Sequence, residues 1–101
     1  MKVFISQPMK GLTDEEILKV REEAITTITR AFGVYEDIEI IDSFFQSAPV
    51  DAKPLWYLGK SLELLSTADL CIFVGNWKEA RGCKIEHECC VQYGIQRFYF
   101  D

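Results

Sequence analysis

Two short runs constrain this chain more than anything else in it. Val3-Phe4-Ile5 and Leu70-Cys71-Ile72-Phe73-Val74 are apolar at every position rather than at alternate ones. Alternation marks a strand with one wet face; an unbroken run of this length marks a strand covered on both faces. Such strands belong to parallel sheets sandwiched between helices. Two further runs, Ile38-Glu39-Ile40-Ile41 and Phe98-Tyr99-Phe100, supply candidates for the remaining strands.

The segments between the runs carry helical spacing. Thr13-Asp14-Glu15-Glu16 has the form of a capping box, with Leu12 and Ile17 placed to form a hydrophobic staple. Ile17, Val20, Ala24, Ile28 and Ala31 then recur every three or four residues, and Gly33 ends the pattern. A second helix is expected from near Pro54, with Leu55, Leu58, Leu62 and Leu65 as its stripe. A third is expected after Gly82, with Ile85, Cys89 and Gln92 or Tyr93 on one side and Gly94 as its end. Strands alternating with helices predict an α/β fold with right-handed crossovers. For so short a chain the expected form is a flavodoxin-like or Rossmann-like three-layer sandwich, with a four-stranded parallel sheet in the order 2-1-3-4. Residues 1–101 are read as one domain, because two would struggle to bury separate cores. Residues 42–53 make a long connection containing Phe44, Phe45 and Pro49, too apolar for a solvated linker and read as a lid or a subunit contact.

Charge narrows the partners. With 11 basic and 16 acidic residues the net charge is -5, which disfavours polymeric nucleic acid and anionic membrane as broad-face partners. No stretch approaches the roughly 20 apolar residues that span a bilayer, and the opening residues are too brief an apolar run for a signal peptide. Of four cysteines, Cys71 lies in an apolar run while Cys83, Cys89 and Cys90 crowd one segment, a pattern that suits reduced thiols in cytoplasm. The only histidine, His87, stands with Cys83 and Cys90 on one helix. Structural zinc sites usually draw ligands from two segments, so neither a metal nor a cofactor is expected. A Cys-His nucleophile is disfavoured too, since three of the thiols share a helix rather than a strand end.

In an open parallel sheet the ligand lies beyond the carboxyl ends of the strands, where the strand order reverses. With order 2-1-3-4 that crevice falls between the first and third strands. Ser6-Gln7-Pro8-Met9-Lys10-Gly11 and Gly75-Asn76-Trp77-Lys78-Glu79-Ala80-Arg81-Gly82 border it. The second loop leads into Glu86, expected in the first turn or so of the third helix, where the helix dipole favours an ionised carboxylate. Such a group can attack a sugar carbon or stabilise an oxocarbenium-like centre; acids are also simply common in first turns. Asn76 and Trp77 could hydrogen-bond and stack a planar base, or Trp77 could close the sheet edge. Ser6 and Gln7 offer donors to a sugar or phosphate, or serve ordinary turn chemistry. Lys10 and Arg81 could meet a phosphate, or be solvated surface. Asp69, at the opposite end of the sheet, suits a cap or an ion pair.

Taken in order, these motifs form a familiar set. Val3-Phe4-Ile5-Ser6-Gln7-Pro8-Met9, then Leu65-Ser66-Thr67-Ala68-Asp69-Leu70-Cys71-Ile72-Phe73-Val74, Gly75-Asn76-Trp77 and Gly82-Cys83-Lys84-Ile85-Glu86 resemble the nucleoside 2-deoxyribosyltransferase superfamily over nearly the whole chain. The nearest likeness is to a short bacterial and phage branch with a Gly-Cys-x-x-Glu-His element. The resemblance implies a flavodoxin-like fold in a homodimer or larger homo-oligomer. It also implies a small-molecule nucleoside or nucleotide substrate, cleaved or exchanged at its N-glycosidic bond. Glu86 matches the family's nucleophilic glutamate. Phe4 stands where the family often has a tyrosine that holds the nucleophile, and Ser61 where a sugar-binding aspartate is common. Glu79 or Glu88 would have to replace an aspartate that assists the departing base. The resemblance thus implies a transferase or hydrolase, and a non-catalytic nucleotide-binding or sensing module of the same fold is the alternative.

Overall fold

The computed structural model describes residues 1–34, 36–45 and 48–100. Strand β1 (Lys2–Ser6) leads to helix α1 (Asp14–Phe32), strand β2 (Glu39–Ile40), helix α2 (Pro54–Leu65), strand β3 (Leu70–Val74), helix α3 (Arg81–Tyr93) and strand β4 (Gln96–Phe100). A single 3-10 turn, Trp77–Glu79, sits between β3 and α3. The sheet is parallel throughout, in the order β2-β1-β3-β4. This is the flavodoxin-like three-layer architecture.

Register explains the two unbroken apolar runs. Val3 pairs with Leu70 and Ser6 with Phe73, so the two runs lie side by side at the centre of the sheet. Side chains alternate across a strand. Val3, Ile5, Leu70, Ile72 and Val74 therefore face α1, where Ala24 and Ile28 meet them. Phe4, Cys71 and Phe73 face the other way, onto Leu65 of α2 and Cys90 of α3. All five residues of β3 are buried.

Local chemistry sets the ends of the elements. Thr13 and Glu16 complete the capping box: the Thr13 N–H donates to Glu16 Oε1 and the Glu16 N–H to Thr13 Oγ1, each at 3.1 Å. At the far end of α3, Gly94 takes a left-handed φ of 71°, which a glycine adopts without strain. Asp69 accepts a 2.7 Å hydrogen bond from the Lys2 N–H and so caps the start of β1, away from the crevice.

Three expectations about helix faces change. In α1 the buried positions are Ile17, Arg21, Ala24 and Ile28, while Ala31 is exposed. Val20 packs half-buried against the same core as expected, and the neighbouring Arg21 is buried with it. In α2, Leu55 at the first turn is 77% exposed, because the helix leans onto the sheet only towards Leu65. In α3 the inward face is Cys83, Glu86 and Cys90, whereas Ile85 and Tyr93 point outward. Of the expected side only Cys89 packs half-buried against the core; bulk hydrophobicity pointed to Ile85, but the smaller thiols Cys83 and Cys90 take the inside. β2 is also shorter than its apolar run, although the Ile41 N–H still reaches Val3 O at 2.9 Å.

Candidate active site

β1 ends at the middle of the sheet, and alternation turns the Ser6 side chain to the α3 face and Gln7 to the α1 face. The Ser6 hydroxyl donates to Glu86 Oε1 at 2.6 Å, across a separation of 80 residues. Both groups are buried, Ser6 to 1% and Glu86 to 7% exposure. A carboxyl group from α3 and a hydroxyl from β1 thus meet between the carboxyl ends of β1 and β3, at the reversal of strand order.

The electrostatics differ from the expected picture. α3 begins at Arg81 rather than after Gly82, which places Glu86 in its second turn. The dipole's pull on charge fades beyond the first turn. Burial dominates and pushes the Glu86 carboxyl up to about 7; the Ser6 hydrogen bond and the nearby Ser61 hydroxyl act against that rise. The expectation of a carboxylate held ionised by the helix end is thereby corrected. At neutral pH the group stands near half-ionisation, poised to give or take a proton.

Two of the thiols around it are held protonated, whereas Cys90 is shifted down by its neighbour Cys71. Cys83 lies beside Ser6, and burial pushes it up to about 11. Cys71, fully buried, is held protonated by the neighbouring Cys90 thiol and by desolvation. Among the described residues no three histidine, cysteine, aspartate or glutamate side chains converge as a metal site would need. Cys83 and Cys90 face the sheet, whereas His87 turns to Tyr99, with which its Nε2 shares a 2.7 Å hydrogen bond.

Of the residues read from the sequence as substrate contacts, the structure brings Ser6 and Ser61 to Glu86. Ser61 approaches from α2, half-buried. Gln7 is buried and donates from Nε2 to Ile17 O at 3.0 Å. Pro8 and Met9 are half-buried in the loop that follows, and Lys10 is exposed. Gly75, with φ of 59°, Asn76, Arg81 and Gly82 are exposed on the other rim. A Cβ built on Gly75 or Gly82 meets nothing within 4 Å, so that rim is open.

Trp77 is already engaged. Its ring lies 4.5 Å from His87, 5.0 Å from Phe73 and 5.7 Å from Tyr99 on β4, with Lys78 Nζ 5.7 Å from the ring. It closes the sheet towards β4, the packing role weighed for it from the sequence. Phe45 likewise packs edge-on against Trp56 of α2, with ring centroids 5.9 Å apart. That part of the 42–53 connection is tied to its own chain, and residues 46 and 47 lie outside the described residues. Two hollows, of about 460 and 260 Å³, lie elsewhere. One follows the exposed side of α1 at Lys19 and Glu23; the other lies near Met1, Leu70 and Gln96, at the amino ends of the strands.

Sequence reasoning missed Arg21 and Ser43. Arg21 Nη2 donates to Ser43 Oγ at 2.8 Å, and both are buried. Spacing carried the signal for Arg21, which stands four residues after Ile17 and three before Ala24, inside the apolar stripe.

No family model, curated protein or solved structure matches the chain.

Proposed function

We propose that this protein acts at the N-glycosidic bond of a 2′-deoxyribonucleoside or its monophosphate, with Glu86 as nucleophile. One observation carries the reading: a buried carboxyl group, held by the Ser6 hydroxyl at 2.6 Å, at the strand-order reversal of an open parallel sheet. The family resemblance of the surrounding motifs supports it.

In the proposed reaction the ionised Glu86 attacks C1′. The C1′–N bond breaks, its electron pair leaves with the base, and the base takes up a proton from water. A water molecule or a second base then attacks C1′, the bond to Glu86 breaks, its pair returns to the carboxylate, and the incoming group releases its proton. Ser6 orients the carboxylate and Ser61 lies on the sugar side. Gln7, Pro8, Met9 and Lys10 form one rim of the crevice. Gly75, Asn76, Arg81 and Gly82 form the other, next to the base, with Trp77 behind them.

Only the ionised form attacks, so base release rises with pH through about 7. Mass spectrometry of the protein mixed with each deoxynucleoside and monophosphate tests the reading. The expected result is free base together with a deoxyribosyl adduct on Glu86. Neither product across the whole panel defeats it.

A second reading has an observation of its own. Glu86 is only 7% exposed, which restricts the approach of a sugar carbon to its oxygens. A non-catalytic nucleotide-binding module would show ligand-induced thermal stabilisation without turnover, retained in Glu86→Gln.

A further inference from the structure

The geometry points to a second recognition element at the carboxyl ends of β1 and β2, where Arg21 and Gln7 together receive the phosphorylated sugar of a ligand. Arg21 projects from the sheet-facing side of α1 and is 7% exposed. A guanidinium stays ionised at any physiological pH, and burying it is costly unless an anion accompanies it. Its Nη2 is met by a neutral hydroxyl, that of Ser43. The ion pair seen among the described residues is Lys60 with Glu63, so no carboxylate stands within ion-pair distance of Arg21. Asp42 favours the charge only from a distance and is itself exposed.

Two polar atoms here are buried without a partner, Arg21 Nε and Gln7 Oε1. They belong to one neighbourhood, because the Gln7 amide donates to Ile17 O, one helical turn before Arg21. One orphan is a cationic donor and the other a neutral acceptor. A ligand that satisfies both brings an anionic oxygen and a hydroxyl, which a sugar phosphate carries and an unphosphorylated sugar does not. The place fits as well. Gln7 directly follows Ser6, and Ser43 Oγ lies 3.4 Å from Ile5 O, so the pair sits on the α1 face of the same strand end whose other face presents Ser6 to Glu86. This inference rests on the crevice being a nucleotide site and narrows its substrate from nucleoside to nucleotide.

Isothermal titration calorimetry of the whole chain with 2′-deoxyribose 5-phosphate, 2′-deoxyribose, inorganic phosphate and sulfate, at one ionic strength, tests it. Deoxyribose 5-phosphate is expected to bind at least about tenfold tighter than deoxyribose and than either inorganic anion, since one added charge-assisted contact carries a factor of that order. In Arg21→Met the preference should vanish, and Arg21→Lys should keep part of it, having the charge without the planar fork. Equal binding of deoxyribose and its phosphate overturns the inference, as does a preference that survives in Arg21→Met. A response to sulfate equal to that for the sugar phosphate also overturns it, as a mere ionic effect. If Arg21→Met does not fold, the wild-type comparison decides alone. Base release from deoxynucleosides and monophosphates at equal rates sinks this inference and leaves the proposed reaction standing. Phosphate-dependent binding without base release from any nucleotide does the reverse.

Discussion

At the scale of single residues, the Glu86 carboxyl is where stability and chemistry pull apart. Its folded-state value of about 7 lies above the usual 4.5. Below the usual value both folded and unfolded chains hold the proton; as pH rises towards 7 the unfolded chain releases it first. Stability is therefore full below about 4.5 and is lost as pH climbs through about 7. The difference corresponds to about 3 kcal/mol at most. Glu86→Gln removes that dependence, so urea unfolding should show the variant gaining on the wild type far more at pH 8 than at pH 5. Ser6→Ala takes away a hydrogen bond that favours the charged form. Carbon-13 NMR of the labelled Glu86 carboxyl should then show its titration midpoint moving up by about one pH unit, the scale of a charge-assisted bond. A midpoint that stays in place or falls would separate Ser6 from the control of Glu86.

At the scale of elements, α3 gives the sharpest reversal. Ile85 and Cys90 compete for the inside, and the thiol wins: Cys90 is fully buried while Ile85 is 36% exposed. Ile85→Ser, at a position only partly covered, should cost about 1 kcal/mol of unfolding free energy. Cys90→Asp should cost several times more, about 3 kcal/mol or above, because it buries a carboxyl beside Glu86 and Cys71. Paired chemical-denaturation curves check both. The capping box of α1 was legible as residue types at fixed spacing, and Thr13→Ala should cost about 1 kcal/mol in the same assay. Its apolar stripe was legible only in part. An arginine inside a stripe counts as polar in any pattern, although geometry places it as deep as its neighbours.

At the scale of the whole molecule, everything turns on the central strands. β1 and β3 supply both faces of the core, and Ile72 at the middle of β3 is fully buried. A domain of this size holds only about 5–15 kcal/mol of net stability. Ile72→Ala, at about 2–5 kcal/mol, is expected to lower the melting temperature by about 10 °C or more in calorimetry. The same two strands end at Ser6 and Val74 beside Glu86, so the core and the candidate site share a scaffold. No helix among the described residues is long and apolar enough to cross a membrane.

The chain's own order of residues determined the architecture. Two unbroken apolar strands, separated by helical spacing and clear caps, admit few arrangements other than a covered parallel sheet, because local period and burial are written in neighbouring residues. It also singled out Glu86, since the position follows from the order of the strands. Tertiary structure alone decided what surrounds that carboxyl. Ser6 is 80 residues away, and it is burial in the folded chain that raises the group to about 7. Arg21 and Gln7 became partnerless in the same way. Desolvation depends on everything packed around a group, and no local spacing encodes it.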